Sequence, residues 1–157
     1  MNADATPTRV AELACNLDDM TGEALGGMID LLLEAGALDA WFVPIYMKQN
    51  RPGVTLKALC AVEDVEQLSD LLLEYTTSLG VRWQVMERKI AQREEITVST
   101  KWGPVRCKVK HLPTKPPHAK PEYQDCLALA RANDLPWQTI HDAAARAAHN
   151  VLSRSEE

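Results

Sequence analysis

The sequence predicts an α+β fold: a ferredoxin-like β-α-β-β-α-β domain over residues 9–93, then a β-hairpin and C-terminal helices over residues 94–152. Three observations carry that expectation. Two-residue alternation and three-to-four spacing of apolar residues succeed one another in that order through the first half of the chain. Gly36, the Asn50-Arg51-Pro52-Gly53 stretch and Gly80 punctuate them. An alanine-rich helical pattern closes the chain.

Arg9 to Leu17 reads as the first strand, with Val10, Leu13 and Cys15 among its apolar residues. A helix follows from Gly22 to Ala35. Leu25, Met28, Ile29, Leu32 and Ala35 recur at helical spacing, with Asp18, Asp19 or Thr21 as its cap and Gly36 as its stop. Asp39 to Met47 is strand-like, and Pro44 within it favours a sheet edge or a bulge. Val54 to Val62 alternates as a third strand. A second helix spans Asp64 to Ser78, with Val65, Leu68, Leu71, Leu72, Tyr75 and Leu79 on its apolar side. Val81 to Gln92 alternates as a long fourth strand.

The remainder differs in character. Glu95 to Thr100 and Val105 to His111 read as strands of a hairpin turning at Trp102-Gly103-Pro104. Leu112 to Pro121 carries Pro113, Pro116, Pro117 and Pro121 and reads as an extended segment or linker. Glu122 to Ala132 and Trp137 to Leu152 read as helices, and the tail from Ser153 to Glu157 as frayed.

The 157 residues allow one or two small domains, and 46% hydrophobic content makes the chain globular. A formal net charge of −5 argues against a general nucleic-acid binder, which needs a broad basic face. No apolar run approaches a bilayer span. Met1 to Thr8 shows no secretory pattern, so a cytoplasmic location is the default expectation. Cys15, Cys60, Cys107 and Cys126 are dispersed, without zinc-ribbon spacing; framework disulfides are not expected. Three of them read as small buried hydrophobes; Cys126 is left open. No G-x-S-x-G, P-loop or dinucleotide glycine motif occurs.

Two polar blocks stand out: Asn16-Leu17-Asp18-Asp19-Met20-Thr21-Gly22-Glu23 and Met47-Lys48-Gln49-Asn50-Arg51-Pro52-Gly53. Adjacent carboxylates at a strand end offer hard oxygen ligands to a divalent cation. Lys48, Asn50 and Arg51 at a turn offer a phosphate clamp. Together they suit a metal-bound polyphosphate. Each block also has a simpler reading, a helix cap for the first and a solvated turn for the second. The loop after the first strand and the turn between the second and third strands are expected at opposite ends of one sheet. A shared pocket would then draw on a neighbouring subunit. Thr76, Thr77, Ser78 and Arg82 read either as a fraying helix end or as hydroxyl and guanidinium contacts to a nucleotide. Lys101, Arg106, Lys108 and Lys110 form a basic stripe at period two, ordinarily the wet face of a sheet. Lys120, Glu122, Asp125 and Cys126 mix hard and soft ligands, against the plainer reading of acids in a first helical turn.

The blocks Asn16 to Glu23, Leu33 to Asp39, Pro44 to Gly53, Thr77 to Arg82 and Lys120 to Cys126, in that order, make the chain similar to the C-terminal region of the LarC family, the nickel insertion proteins of lactate racemase cofactor biosynthesis. The likeness runs from about Arg9 to about His149. It departs from the family pattern at Ala14-Cys15, at Tyr75 and Ser78, and at Gln124.

The resemblance implies a CTP-dependent nickel insertase that places Ni2+ into pyridinium bisthiocarboxylic acid mononucleotide, giving the nickel-pincer nucleotide. It implies that this region binds CTP with Mn2+ or Mg2+, forms homo-oligomers, and works with an N-terminal histidine-rich LarC region that this chain lacks. On that basis Asp18, Asp19 and Lys48 are the expected catalytic residues. Asn16, Thr21, Lys48, Asn50, Arg51, Thr76, Thr77, Arg82 and Lys120 are the expected nucleotide contacts, and Asp18, Asp19, Glu122 and Asp125 the expected metal ligands. Two alternatives stay open. One is a non-catalytic CTP-binding and oligomerisation module. The other is a different metal enzyme built on Cys126, Asp125 and His118.

Overall fold

The computed structural model describes residues 8–154. The sequence readings for Met1 to Pro7 and for residues 155–157 lie outside them. Among the described residues, thirteen elements fall in two compact units; one unit ends at Lys89 and the other begins at Ile90.

The N-terminal unit runs β1 (Thr8–Leu17), α1 (Gly22–Glu34), β2 (Asp39–Tyr46), a short 3-10 turn (Lys48–Asn50), β3 (Pro52–Ala61), a second 3-10 turn (Val62–Asp64), α2 (Val65–Tyr75) and β4 (Arg82–Arg88). Its sheet has the order β2-β3-β1-β4, every pair antiparallel. That is the ferredoxin-like arrangement the element order predicted. Alternation decides which face is covered: Ala11, Leu13, Cys15 and Leu17 of β1 meet Leu56, Ala58 and Cys60 of β3, Met28 and Leu32 of α1, and Leu68 and Leu72 of α2 in one core. Pro44 lies on β2, an edge strand, the place in a sheet where a residue without an N–H is tolerated.

Four differences from expectation stand out, besides the last helix running to Arg154, where Ser153 and Arg154 were expected to be frayed. α2 stops at Tyr75, so Tyr75 and Leu79, expected on its apolar face, are exposed. Three hydroxyl residues compete with the helix backbone there: Thr76 Oγ1 donates back to Leu72 O and accepts from Ser78 N. β4 ends at Arg88, and Gln92, expected at its end, begins the next strand. The hairpin turn is Lys101-Trp102; Gly103 and Pro104 already pair with Thr100 and Ser99. The fourth difference is the proline-rich segment, described next.

The C-terminal unit contains β5 (Gln92–Thr100), β6 (Gly103–Leu112), β7 (Lys115–Pro121), α3 (Tyr123–Ala132) and α4 (Trp137–Arg154). The segment expected as an extended segment or a linker is a paired strand, β7, antiparallel to β6 at the edge of the sheet β5-β6-β7. Prolines are tolerated there because an edge strand has one side free of ladder bonds. Val98, Val105 and Cys107 pack against Cys126 and Ala130 of α3 and Ile140, Ala144 and Ala148 of α4. Small alanines let α4 approach closely. Cys126, left open by the sequence, is fully buried in this core, and all four cysteines are free thiols. Among the described residues no helix is long and apolar enough to cross a membrane.

Candidate functional site

Three loops of the N-terminal unit meet at one end of its sheet, and strand direction is the reason. β3 runs antiparallel to β1, so its first residues lie beside the last of β1: Leu17 opposes Val54. β4 does the same on the other side, with Ala14 opposite Arg82. The β1–α1 loop, the β2–β3 turn and the α2–β4 loop therefore share that end. The expectation of opposite ends is corrected: both polar blocks come together within one chain, without a neighbouring subunit.

Gly53 lets them touch. A Cβ there would stand 2.6 Å from Leu17 O and 3.2 Å from Asp18 Cβ. The turn that precedes it is strained, with Gln49 and Asn50 both at positive φ, 61° and 56°. Met47 N closes it by donating to Arg51 O at 2.8 Å. Arg51 Nε is thereby brought 3.1 Å from Asp18 Oδ2. That oxygen is buried and no donor is aligned on it; the guanidinium approaches at ion-pair distance without making a directed hydrogen bond. A shielded carboxylate oxygen with an unused lone pair is what a cation ligand requires.

The cap question is resolved by Thr21. Its hydroxyl accepts from Ala24 N and caps α1, which releases Asp18 and Asp19 from that duty. Asp19 Oδ1 accepts from Thr77 Oγ1, which ties the acidic loop to the α2–β4 loop. Asn16 Oδ1 accepts from Arg82 Nη2 and from Thr55 Oγ1, both at 2.9 Å. Thr55, buried in β3, escaped the sequence reading: one hydroxyl within an apolar strand carries no pattern. Cys15, read from the sequence as a small buried hydrophobe of the first strand, is fully buried. It lies beneath the loops, its thiol pushed up by burial and drawn partly back by Ser78, Arg82 and Thr76.

Asn16 at the end of β1, Arg82 at the start of β4, and Asp18, Asp19, Thr21, Arg51 and Thr77 in the loops thus stand at this end, with Lys48 and Asn50 exposed on the turn that carries Arg51. Thr76 is there as well, but its hydroxyl is committed to backbone groups. Among the described residues no three His, Cys, Asp or Glu side chains gather closely enough to hold a metal ion alone. A pair of carboxylates fits a divalent cation that keeps water and takes its other ligands from a phosphate chain. The N-terminal amides of α1 open on the same loop and suit an anion.

Lys120, Glu122 and Asp125 belong to the C-terminal unit. Glu122 binds Lys108 at 2.6 Å. Asp125 holds Arg106 with both oxygens, at 2.9 and 2.8 Å, and also accepts from Arg106 N. Hydrogen bonds from the Arg106 side chain, then from its backbone, hold the Asp125 carboxyl down to about 2. The two acids expected as metal ligands are instead engaged by cations that fasten α3 to β6. Cys126 does not join them as a ligand: burial raises its thiol, and it faces Cys107 within the core.

A sequence model of the family described as nickel insertion protein matches residues 1–141. The pyridinium-3,5-bisthiocarboxylic acid mononucleotide nickel insertion protein of Lactiplantibacillus plantarum is 42% identical over 142 residues, 88% of this chain and 33% of that protein. A putative nickel insertion protein of Thermomicrobium roseum is 40% identical over 150 residues, 93% of this chain and 37% of that protein. The chain therefore spans about a third of the length of these relatives. Among solved structures, LarC2, the C-terminal domain of a cyclometallase involved in the synthesis of the NPN cofactor of lactate racemase, in its apo form, superposes with a TM-score of 0.87. The match has 42% identity and covers 92% of this chain and 99% of that one. Protein MK0293 of Methanopyrus kandleri shares the fold at 22% identity, with a TM-score of 0.57.

Proposed function

The chain belongs to the nickel insertion protein family, and we propose that it supplies the nucleotide-binding part of a CTP-dependent insertion of Ni2+ into a pyridinium bisthiocarboxylic acid mononucleotide. In this reading Asp18 and Asp19 hold Mn2+ or Mg2+ on the triphosphate. Lys48, Arg51 and Arg82 neutralise its oxygens, and Asn16, Asn50 and Thr77 donate to it. The observation that carries the reading is the buried, undonated Asp18 Oδ2 facing Arg51 across 3.1 Å. The two groups are partners of default. A cation bound to phosphate gives each a better one: the carboxylate turns to the metal, the guanidinium to a phosphate oxygen. The residues named carry a net charge of about +1 when empty and about −1 once a divalent cation and a triphosphate are bound, so neither state leaves a large excess of one sign.

Titration calorimetry of CTP with Mn2+ tests this. Asp19→Ala and Arg51→Ala should each weaken binding tenfold or more; unchanged affinity in both removes the assignment. A second reading is favoured by the span of about a third of the relatives' length: CTP binding and homo-oligomer assembly here, with insertion requiring the N-terminal LarC region. Nickel transfer by this chain alone, assayed beside the chain supplemented with that region, separates the two. Light scattering tests the oligomer.

A further inference from the structure

We propose that the open face of the β5-β6-β7 sheet binds the anionic groups of the acceptor, a pyridinium mononucleotide, through Arg93, Lys110, His118 and Lys120. The proposal rests on the nickel-insertion reading for the identity of the acceptor, and not on where CTP binds.

The face is fixed by register. Val105, Cys107 and Val109 of β6 are buried toward the helices, so Arg106, Lys108 and Lys110 point the other way. Lys110 stands directly opposite Arg93 on one side and His118 on the other. Directly opposed residues in an antiparallel pair share a face, so three basic side chains form one row across three strands. Like charges so opposed destabilise a sheet, and no carboxylate within the row relieves them. The next row, two residues along, is Glu95, Lys108 and Lys120.

Bookkeeping of ion pairs shows which cations are left over. Arg106 is taken by Asp125 and Lys108 by Glu122. Arg93, Lys110, His118 and Lys120 are exposed, with no ion pair among the described residues; Glu95 stands beside them in the second row, and Glu122 and Asp125 are taken up by Lys108 and Arg106. Strands lie about 5 Å apart and rows about 7 Å apart, so these four bases occupy a patch roughly 10 Å by 7 Å. On a chain of net charge −5 this is a concentrated exception. It is too small for a polymer and well sized for one small polyanion. A pyridinium mononucleotide with two thiocarboxylates is such a ligand: one phosphate monoester at one end and two soft carboxylate analogues at the other.

Amide chemical shifts of the full chain would be followed while a pyridinium-3-carboxylate mononucleotide is added. Inorganic phosphate, a short single-stranded DNA and CTP with Mn2+ would be run in parallel. Saturable shifts for the mononucleotide at residues 93, 110, 118 and 120 are expected, with affinity at least fivefold lower in Arg93→Ser/Lys110→Ser and an unaltered CTP response. Shifts absent from this face, an unaffected double variant, phosphate binding as tightly as the mononucleotide, or DNA binding more tightly would each overturn the proposal. Failure of CTP to bind would sink the triphosphate site alone, because the mononucleotide titration reads a different unit.

Discussion

Asp18 is where stability and function separate. Its side chain is 14% exposed, while that of its partner Arg51 is 49% exposed. Solvent screening holds such a pair to about 0–1 kcal/mol. Asp18→Asn should therefore leave thermal stability within about 1 kcal/mol of the parent while weakening Mn2+-CTP binding tenfold or more; a large loss of melting temperature would assign Asp18 to the fold instead. Asp125 behaves oppositely. Its carboxyl is lowered from 3.8 to about 2 by Arg106. A depressed acid contributes stability that is complete above its unfolded value and is lost as pH falls through the folded one. The C-terminal unit should lose stability from about pH 4 down to about pH 2, and Asp125→Asn should flatten that slope in acid melts. At this scale the acidic loop and the basic turn were legible because carboxylates and cations cluster visibly in sequence. Thr55 was not legible: its role exists only through Asn16, 39 residues away.

At the scale of elements, periodicity announced nearly every helix and strand, and it misread what depends on a partner. β7 looks like a linker because Pro116 and Pro117 offer no amide, yet an edge strand has donors to spare. The meeting of the three loops follows from strand pairing and direction, which no local pattern encodes. Gly53 is the element-level control of that meeting, because β3 must start against the end of β1. Gly53→Ala places a methyl 2.6 Å from a backbone oxygen that has no rotamer to yield. The cost should be about 1–3 kcal/mol, with CTP affinity falling as the turn is pushed from Asp18. Denaturant titration and calorimetry on the same variant check both; an alanine that keeps full stability and affinity would mean that the close approach is not needed.

On the scale of the whole molecule, the two units have separate cores, one built by β1, β3, α1 and α2, the other by β5, β6, α3 and α4. The division falls between Lys89 and Ile90, whereas the sequence reading sets the boundary after residue 93. The sequence announces it through a change of vocabulary, from leucine-faced helices to alanine-faced ones. If each core is sufficient, a fragment of residues 1–89 should fold by itself, because four paired strands and two helices exceed what an independent sheet needs. A domain of this size buries only about 60–65% of its unfolded surface, so its stability should be small, with a single cooperative transition at lower temperature than the full chain. All the loop residues proposed to hold the triphosphate lie within it. The fragment should therefore keep Mn2+-CTP affinity within about threefold of the full chain below its melting point and show no response to the pyridinium mononucleotide. A folded fragment that fails to bind CTP would show that the triphosphate site draws on residues beyond Lys89; a fragment that does not fold would show that the first core is not self-sufficient.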